Sequence, residues 1–139
     1  LLPFYQQKKV LYNQTASKSE QLALCQFLRD GHLESQIRKL KRLYTNKAKA
    51  LSAELEHAFE KEASVYMGES VFLVHLKVKC RMNSTQLRDK AQSRGLSVFA
   101  FGGKEEKGFA HIALYCCEVP VTEFPDAVAL LKEIVEQKC

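Results

Sequence analysis

Apolar residues recur in the first half of this chain at the spacing of one helix face. Leu33, Ile37, Leu40, Tyr44, Leu51, Leu55 and Phe59 follow one another at intervals of three, four or seven, which keeps them on a single stripe of a 3.6-residue helix. Neither glycine nor proline interrupts the segment. The pattern predicts one helix over residues 32–61, about 45 Å long at about 1.5 Å per residue. A compact domain of this size does not need so long an element, so the helix is expected to span between two bodies.

On either side the pattern changes. Residues 4–13 read as a short helix with Pro3 near its first turn. Ser17 and Glu20 have the spacing of a capping box, and Leu22, Leu24, Cys25 and Leu28 supply the apolar face of a second helix that Asp30-Gly31 ends. Beyond Gly68, Val71 to Val78 is rich in strand formers and alternates in its second half. Asn83 with Gln86 opens another helix, carrying Leu87 and Ala91 to Arg94-Gly95. Leu96–Phe101 and Phe109–Cys117 read as strands joined by the polar loop 102–108, and so as antiparallel neighbours. Thr122 is expected to cap a last helix with a core face of Phe124, Val128, Leu131 and Val135. The fold class is therefore α+β: a small, largely antiparallel sheet packed with helices, preceded by N-terminal helices and one long helix.

Composition adds little to this. The 139 residues, 46% hydrophobic and 27% charged, suit one globular domain. No apolar run reaches the roughly 20 residues of a membrane span, and no membrane partner is expected. The five cysteines at 25, 80, 116, 117 and 139 lack any Cys-x-x-Cys spacing, which favours reduced thiols in a cytoplasmic protein over a disulfide framework or a metal site. Part of the net charge of +5 comes from Arg38, Lys39, Lys41, Arg42, Lys47 and Lys49. Such a cluster suits either the solvated side of an amphipathic helix or a phosphate-binding surface.

No catalytic constellation emerges by spacing. His32, His57, His75 and His111 are far apart in sequence and read as surface or satisfied structural histidines. Gly102-Gly103 and Gly108 lack the Lys-Ser/Thr of a phosphate loop. Glu54, Glu56, Glu60 and Glu62 look like solvated helix charge. No residue of this chain is expected to be catalytic, metal-ligating or bound to a cofactor.

The block from Ser19 to Tyr44 adds a resemblance. Its Gln21-x-x-Leu24 helix, its Phe27-x-x-x-Gly31 ending and its basic helix closing on Tyr44 resemble a segment of the fold-type I aminotransferases. The likeness is greatest to the MocR subfamily of GntR-type transcription regulators, which join a winged helix-turn-helix domain to an aminotransferase-like domain binding pyridoxal phosphate (PLP). The order of elements from Leu1 to Val135 is similar to that of the C-terminal part of such proteins. The resemblance implies that residues 1–31 are helices packing on a large domain outside this chain, and that 32–139 form the small C-terminal domain. It also implies a Schiff-base lysine upstream of Leu1, PLP in the full-length protein only, a homodimer, DNA contact through the winged-helix domain, and Arg38, Arg42 and Tyr44 at the domain interface.

Two departures bear on function. Free-standing aminotransferases of this kind carry a Pro and paired Gly before the first small-domain strand, where this chain reads Tyr66-Met67-Gly68-Glu69-Ser70. Family members also place an arginine in the last strand to hold a substrate carboxylate, and the aligned residue here is Ala113. Both favour a regulator over the alternative, the small domain of a PLP-dependent amino-acid aminotransferase. A third reading, an autonomous nucleic-acid-binding module using the basic helix, lacks an aromatic platform in the sequence.

Overall fold

The computed structural model describes residues 3, 17–68, 70–101, 108–117 and 119–137. The expected helix over 4–13 and the loop residues 102–107 lie outside them. The chain divides into two compact units, residues 1–39 and 40–139.

In the first unit, α1 runs Lys18–Arg29. The capping box forms as the sequence indicates: Glu20 N–H donates to Ser17 Oγ at 3.3 Å, and Ser17 N–H to Glu20 Oε2 at 2.9 Å. Gly31, at φ +70°, ends α1 in a conformation that costs any residue with a Cβ. Nothing on α1 is buried; Leu22, Leu24, Phe27 and Leu28 are all exposed. The helix α2 then runs His32–Phe59 and is followed by a 3-10 turn, Glu60–Glu62, so it stops two residues short of the expected end. Its apolar stripe is not uniform. Leu51, Leu55 and Phe59 are buried, Tyr44 is half-buried, and Leu33, Ile37 and Leu40 are exposed.

The second unit is built on a four-stranded antiparallel sheet in the order β1-β2-β4-β3. Its strands are β1 Ala63–Met67, β2 Leu73–Lys79, β3 Phe99–Ala100 and β4 Phe109–Tyr115. The hydrophobic pattern misses β1, because its Ala63-Ser64-Val65-Tyr66-Met67 extends the apolar stripe of α2 without a helix-breaking residue. Between β2 and β3 lies α3, Ser84–Ser93, whose Asn83–Gln86 capping box forms. The chain closes with α4, Phe124–Glu136.

Alternation along the strands decides the layers. Val74, Leu76 and Val78 of β2 and Ala110, Ile112 and Leu114 of β4 point to one side, where they form a single core with Leu51, Leu55, Phe59, Leu87, Ala91, Phe124, Val128, Leu131 and Ile134. Two expectations for α4 need correction. Ile134, not Val135, is the fully buried residue of its last turn, while Val135 is partly buried against the same core. Thr122 does not cap the helix. The chain enters through a 3-10 turn, Val121–Glu123, with Pro125 in the first turn of α4 and no side-chain cap. Among the described residues, no helix is long and apolar enough to cross a membrane.

Candidate functional site

The side of the sheet away from the core carries the chemistry of this chain. The odd-numbered residues of β2 and β4 point there, together with Tyr66 of β1 and Phe99 of β3. Register brings them into rows: Tyr66 pairs with His75, His75 with Ala113, Ala113 with Phe99, and Lys77 with His111. Tyr66, Phe99, Phe101 and Tyr115 on this face are 45%, 47%, 45% and 49% exposed.

Four rings interlock near the centre. The Tyr66 ring stacks on His75 at 4.8 Å with the planes 4° apart, and Phe101 meets His75 edge-on at 4.7 Å. His111 lies 5.5 Å from His75 and 5.1 Å from Phe101, between ring centroids. The Tyr66 hydroxyl reaches over His75 to His111 Nε2 at 2.8 Å. Below this layer His75 is only 6% exposed, and its Nδ1 is buried without a hydrogen-bond partner. An unsatisfied buried polar atom costs about 1–3 kcal/mol, so this imidazole sits in an environment that leaves part of its hydrogen-bonding capacity unused. The chain passes close by at Gly68, where an added Cβ would stand 3.0 Å from His75 Nε2.

His111 titrates below the usual histidine range, first through loss of solvent and then through repulsion from His75 and Lys77. The Lys77 ammonium lies over the Phe109 ring at 5.0 Å, a cation–π geometry. Among the described strand residues of this face there is no carboxylate. Two imidazoles and Lys77 therefore lie on one aromatic surface.

Ala113 is fully buried at the floor of this face, with His75 on one side and Phe99 on the other. The interface candidates lie elsewhere. Arg38 and Arg42 are exposed and one turn apart on α2, while Tyr44 packs edge-on against Phe72 at 5.1 Å. Reading the four histidines as separate overlooked the pair that the sheet brings together. The signal was faint: both sit at odd positions of strand-forming runs, and only the β2–β4 register joins them. The other two behave as expected of isolated residues, His57 exposed and His32 beside Phe27 at 5.4 Å.

A second concavity, of about 500 Å³, opens at the β3 edge between Leu51, Leu96, Phe99, Leu114, Tyr115 and Phe124. Lys47 buttresses the chain nearby, its ammonium donating to the carbonyls of Cys117 and Val119 at 2.9 Å each.

No protein-family model matches the sequence, and no curated protein matches it. Solved structures do match. One is a multiple substrate aminotransferase from Thermococcus profundus, at a TM-score of 0.64 and 18% identity. Another is a kynurenine aminotransferase from Pyrococcus horikoshii, solved in complex with PMP, with KYN as substrates and KYA as products, at a TM-score of 0.64 and 15% identity. Each match covers 79% of this chain and 28% of the other. At these identities the likeness is one of fold: the chain has the architecture of a part of the aminotransferases and spans 28% of the length of those two.

Proposed function

We propose that this chain is the C-terminal part of the aminotransferase-like, effector-sensing domain of a PLP-binding transcription regulator, without catalytic activity of its own. The aminotransferase fold supports the domain assignment, and the surroundings of Ala113 favour regulation over turnover. An aminotransferase must hold the carboxylate of each amino acid it converts, and a guanidinium does so through two parallel hydrogen bonds. At the position where the family resemblance implies that arginine, this chain has a buried alanine. The space above it is shared by His75 and Phe99.

The reading places the PLP site outside this chain. Of the lysines that β2 directs to the aromatic face, Lys77 has its ammonium over a phenyl ring and Lys79 stands at the strand end. In this reading the Schiff-base lysine and the phosphate donors come from a preceding large domain, on which residues 1–31 pack. Leu22, Leu24, Phe27 and Leu28 supply the apolar surface for that packing. Arg38, Arg42 and Tyr44 lie at the domain interface, α2 passes the effector's influence between domains as a hinge or shear element, and the protein acts as a cytoplasmic homodimer contacting DNA through a winged-helix domain.

The alternative, the small domain of a PLP-dependent amino-acid aminotransferase, is favoured by one observation: both structural neighbours named above are aminotransferases. Conversion of amino acid to keto acid by the complete polypeptide, loaded with PLP and supplied with a keto-acid acceptor, separates the two. The regulatory reading predicts no multiple turnover with aliphatic, acidic or aromatic amino acids. Sustained turnover with any of them would give the chain to an enzyme.

A further inference from the structure

Just past β4 the chain carries two adjacent thiols, Cys116 and Cys117, that the regulatory reading does not use. We propose that they form a chelating site for a trivalent thiophilic metalloid, an organic arsenic(III) compound, at the mouth of the β3-edge concavity. The site lies wholly on residues of this chain and stands apart from the regulatory reading.

In a continuing strand two successive side chains point to opposite faces. Here β4 ends at Tyr115 and the chain bends at Cys117, so the alternation stops and the two thiols meet in a hydrogen bond. Lys47 holds the bend from α2, its ammonium donating to the carbonyls of Cys117 and Val119. Cys116 is fully buried, its thiol donating to the carbonyls of Phe72 at 3.5 Å and Val71 at 3.6 Å. Cys117 is half-buried and lines the concavity of about 500 Å³, together with Leu96, Phe99, Tyr115 and Phe124. The concavity thus reaches one thiol, and that thiol touches the other.

Such a pair suits few ligands. A structural zinc site needs four protein ligands, and no group of three or more metal-binding side chains occurs among the described residues. A disulfide is disfavoured, because Cα atoms across a trans peptide stand about 3.8 Å apart. Disulfides span about 4.4–6.8 Å, and a strained one is easily reduced. Two-coordinate soft ions want their sulfurs on opposite sides, which thiols in contact do not offer. Arsenic(III) is pyramidal and takes two sulfurs side by side in one small ring. The condensation balances without an oxidant: one arsenoxide and two thiols give a cyclic dithioarsinite and one water. Two As–S bonds replace the As=O bond, both thiol protons leave on the oxygen, and arsenic stays trivalent. Burial and the neighbouring thiol push Cys116 above the usual thiol range, which slows reagents that need a thiolate; the condensation uses the thiol proton instead. When that proton leaves, the Phe72 carbonyl keeps the Cys116 backbone N–H at 3.1 Å. An apolar arm on the arsenic extends into the concavity.

The test treats the complete polypeptide with phenylarsine oxide and maps the adduct by peptide mass spectrometry. Expected is one phenylarsenic unit, the reagent less one water, on the peptide that holds Cys116 and Cys117. It should survive excess glutathione, a monothiol, and be released by dimercaptopropanol, a dithiol. Occupancy of that peptide against graded dimercaptopropanol ranks affinities. Cys117→Ser, checked by an unchanged circular dichroism spectrum, should bind about 100-fold more weakly, because the second As–S bond is no longer intramolecular. Cys25→Ser should bind like the parent. Affinity in the folded protein should exceed that in urea by at least about tenfold, through burial of the phenyl ring. Adduct on other cysteines only, release by glutathione alone, or a Cys117→Ser variant that binds like the parent overturns the proposal. So does equal protection of the pair by zinc, or a Cys116–Cys117 disulfide in the freshly isolated protein. Equal affinity in urea overturns it as well, since adjacency in sequence would then be the whole cause. Loss of the regulatory reading would leave arsenical binding intact, and failure of arsenical binding would leave that reading standing.

Discussion

His75 of β2 and Ala113 of β4 face each other directly across the sheet, and the small side chain is what lets the large one lie flat. With Ala113 at the floor and fully buried, the imidazole tucks down between Tyr66 and Phe101. A larger residue at 113 would occupy the same space.

Restoring the residue expected in an aminotransferase is therefore costly. Ala113→Arg should destabilise the chain by about 1–3 kcal/mol through overpacking and expel His75 from beneath Tyr66. Urea unfolding measures the first effect, and loss of the upfield ring-current shift of the His75 protons measures the second. A stable Ala113→Arg variant with His75 unmoved would show that the arginine and the imidazole do not compete.

The division of the apolar stripe on α2 and α1 sets a contrast. Leu55 is fully buried, and Leu55→Ala should cost about 2–5 kcal/mol. Leu22 is 71% exposed, and Leu22→Ala should fall within about 0.5 kcal/mol of the parent. Chemical denaturation of the two variants side by side checks the difference.

Those helices also illustrate what the sequence could and could not convey. Capping boxes at Ser17 and Asn83 were legible because they are local: two side chains three residues apart satisfy each other's backbone. The heptad-like run from Leu33 to Phe59 announced α2, yet it carried no sign that its first half is exposed and its second half buried, since periodicity reports a face and not what covers it. β1 was hidden because a short strand at an edge needs only its partner's backbone, and its residues show no alternation strong enough to stand out. The candidate site was the least legible part. Tyr66, His75, Phe101 and His111 span 45 positions and meet only through strand pairing, which no local pattern encodes.

Thiol reactivity should follow burial. Cys116 is fully buried beside Cys117, and its thiol is pushed above the usual range by desolvation and then by that neighbour; Cys80 is buried too, while Cys25 is exposed. Because the thiolate is the reactive form, iodoacetamide under native conditions should label Cys25 well before Cys80 or Cys116. Mass spectrometry of the peptides gives the order. Early labelling of Cys116 would mean that the end of β4 opens readily.

Protonation of His111 offers a check on the same face. Its folded pKa lies below the unfolded value, so the unfolded chain binds more protons over that interval. The contribution is fully present above the unfolded histidine pKa, about 6.5, and is lost as pH falls toward the lower folded value. The unfolding midpoint should decline over that window in the parent and decline less in His111→Gln. Parallel curves for both would remove His111 from the pH response.

The regulatory role is tested most directly by the affinity of the complete PLP-loaded polypeptide for DNA upstream of its own coding sequence, measured by fluorescence anisotropy with and without amino acids and aromatic carboxylates. A regulator with an effector-sensing domain of this kind should show a change of about five- to 150-fold with at least one of them, the usual range of allosteric coupling. Affinity unchanged by every such compound, with PLP bound, would contradict it.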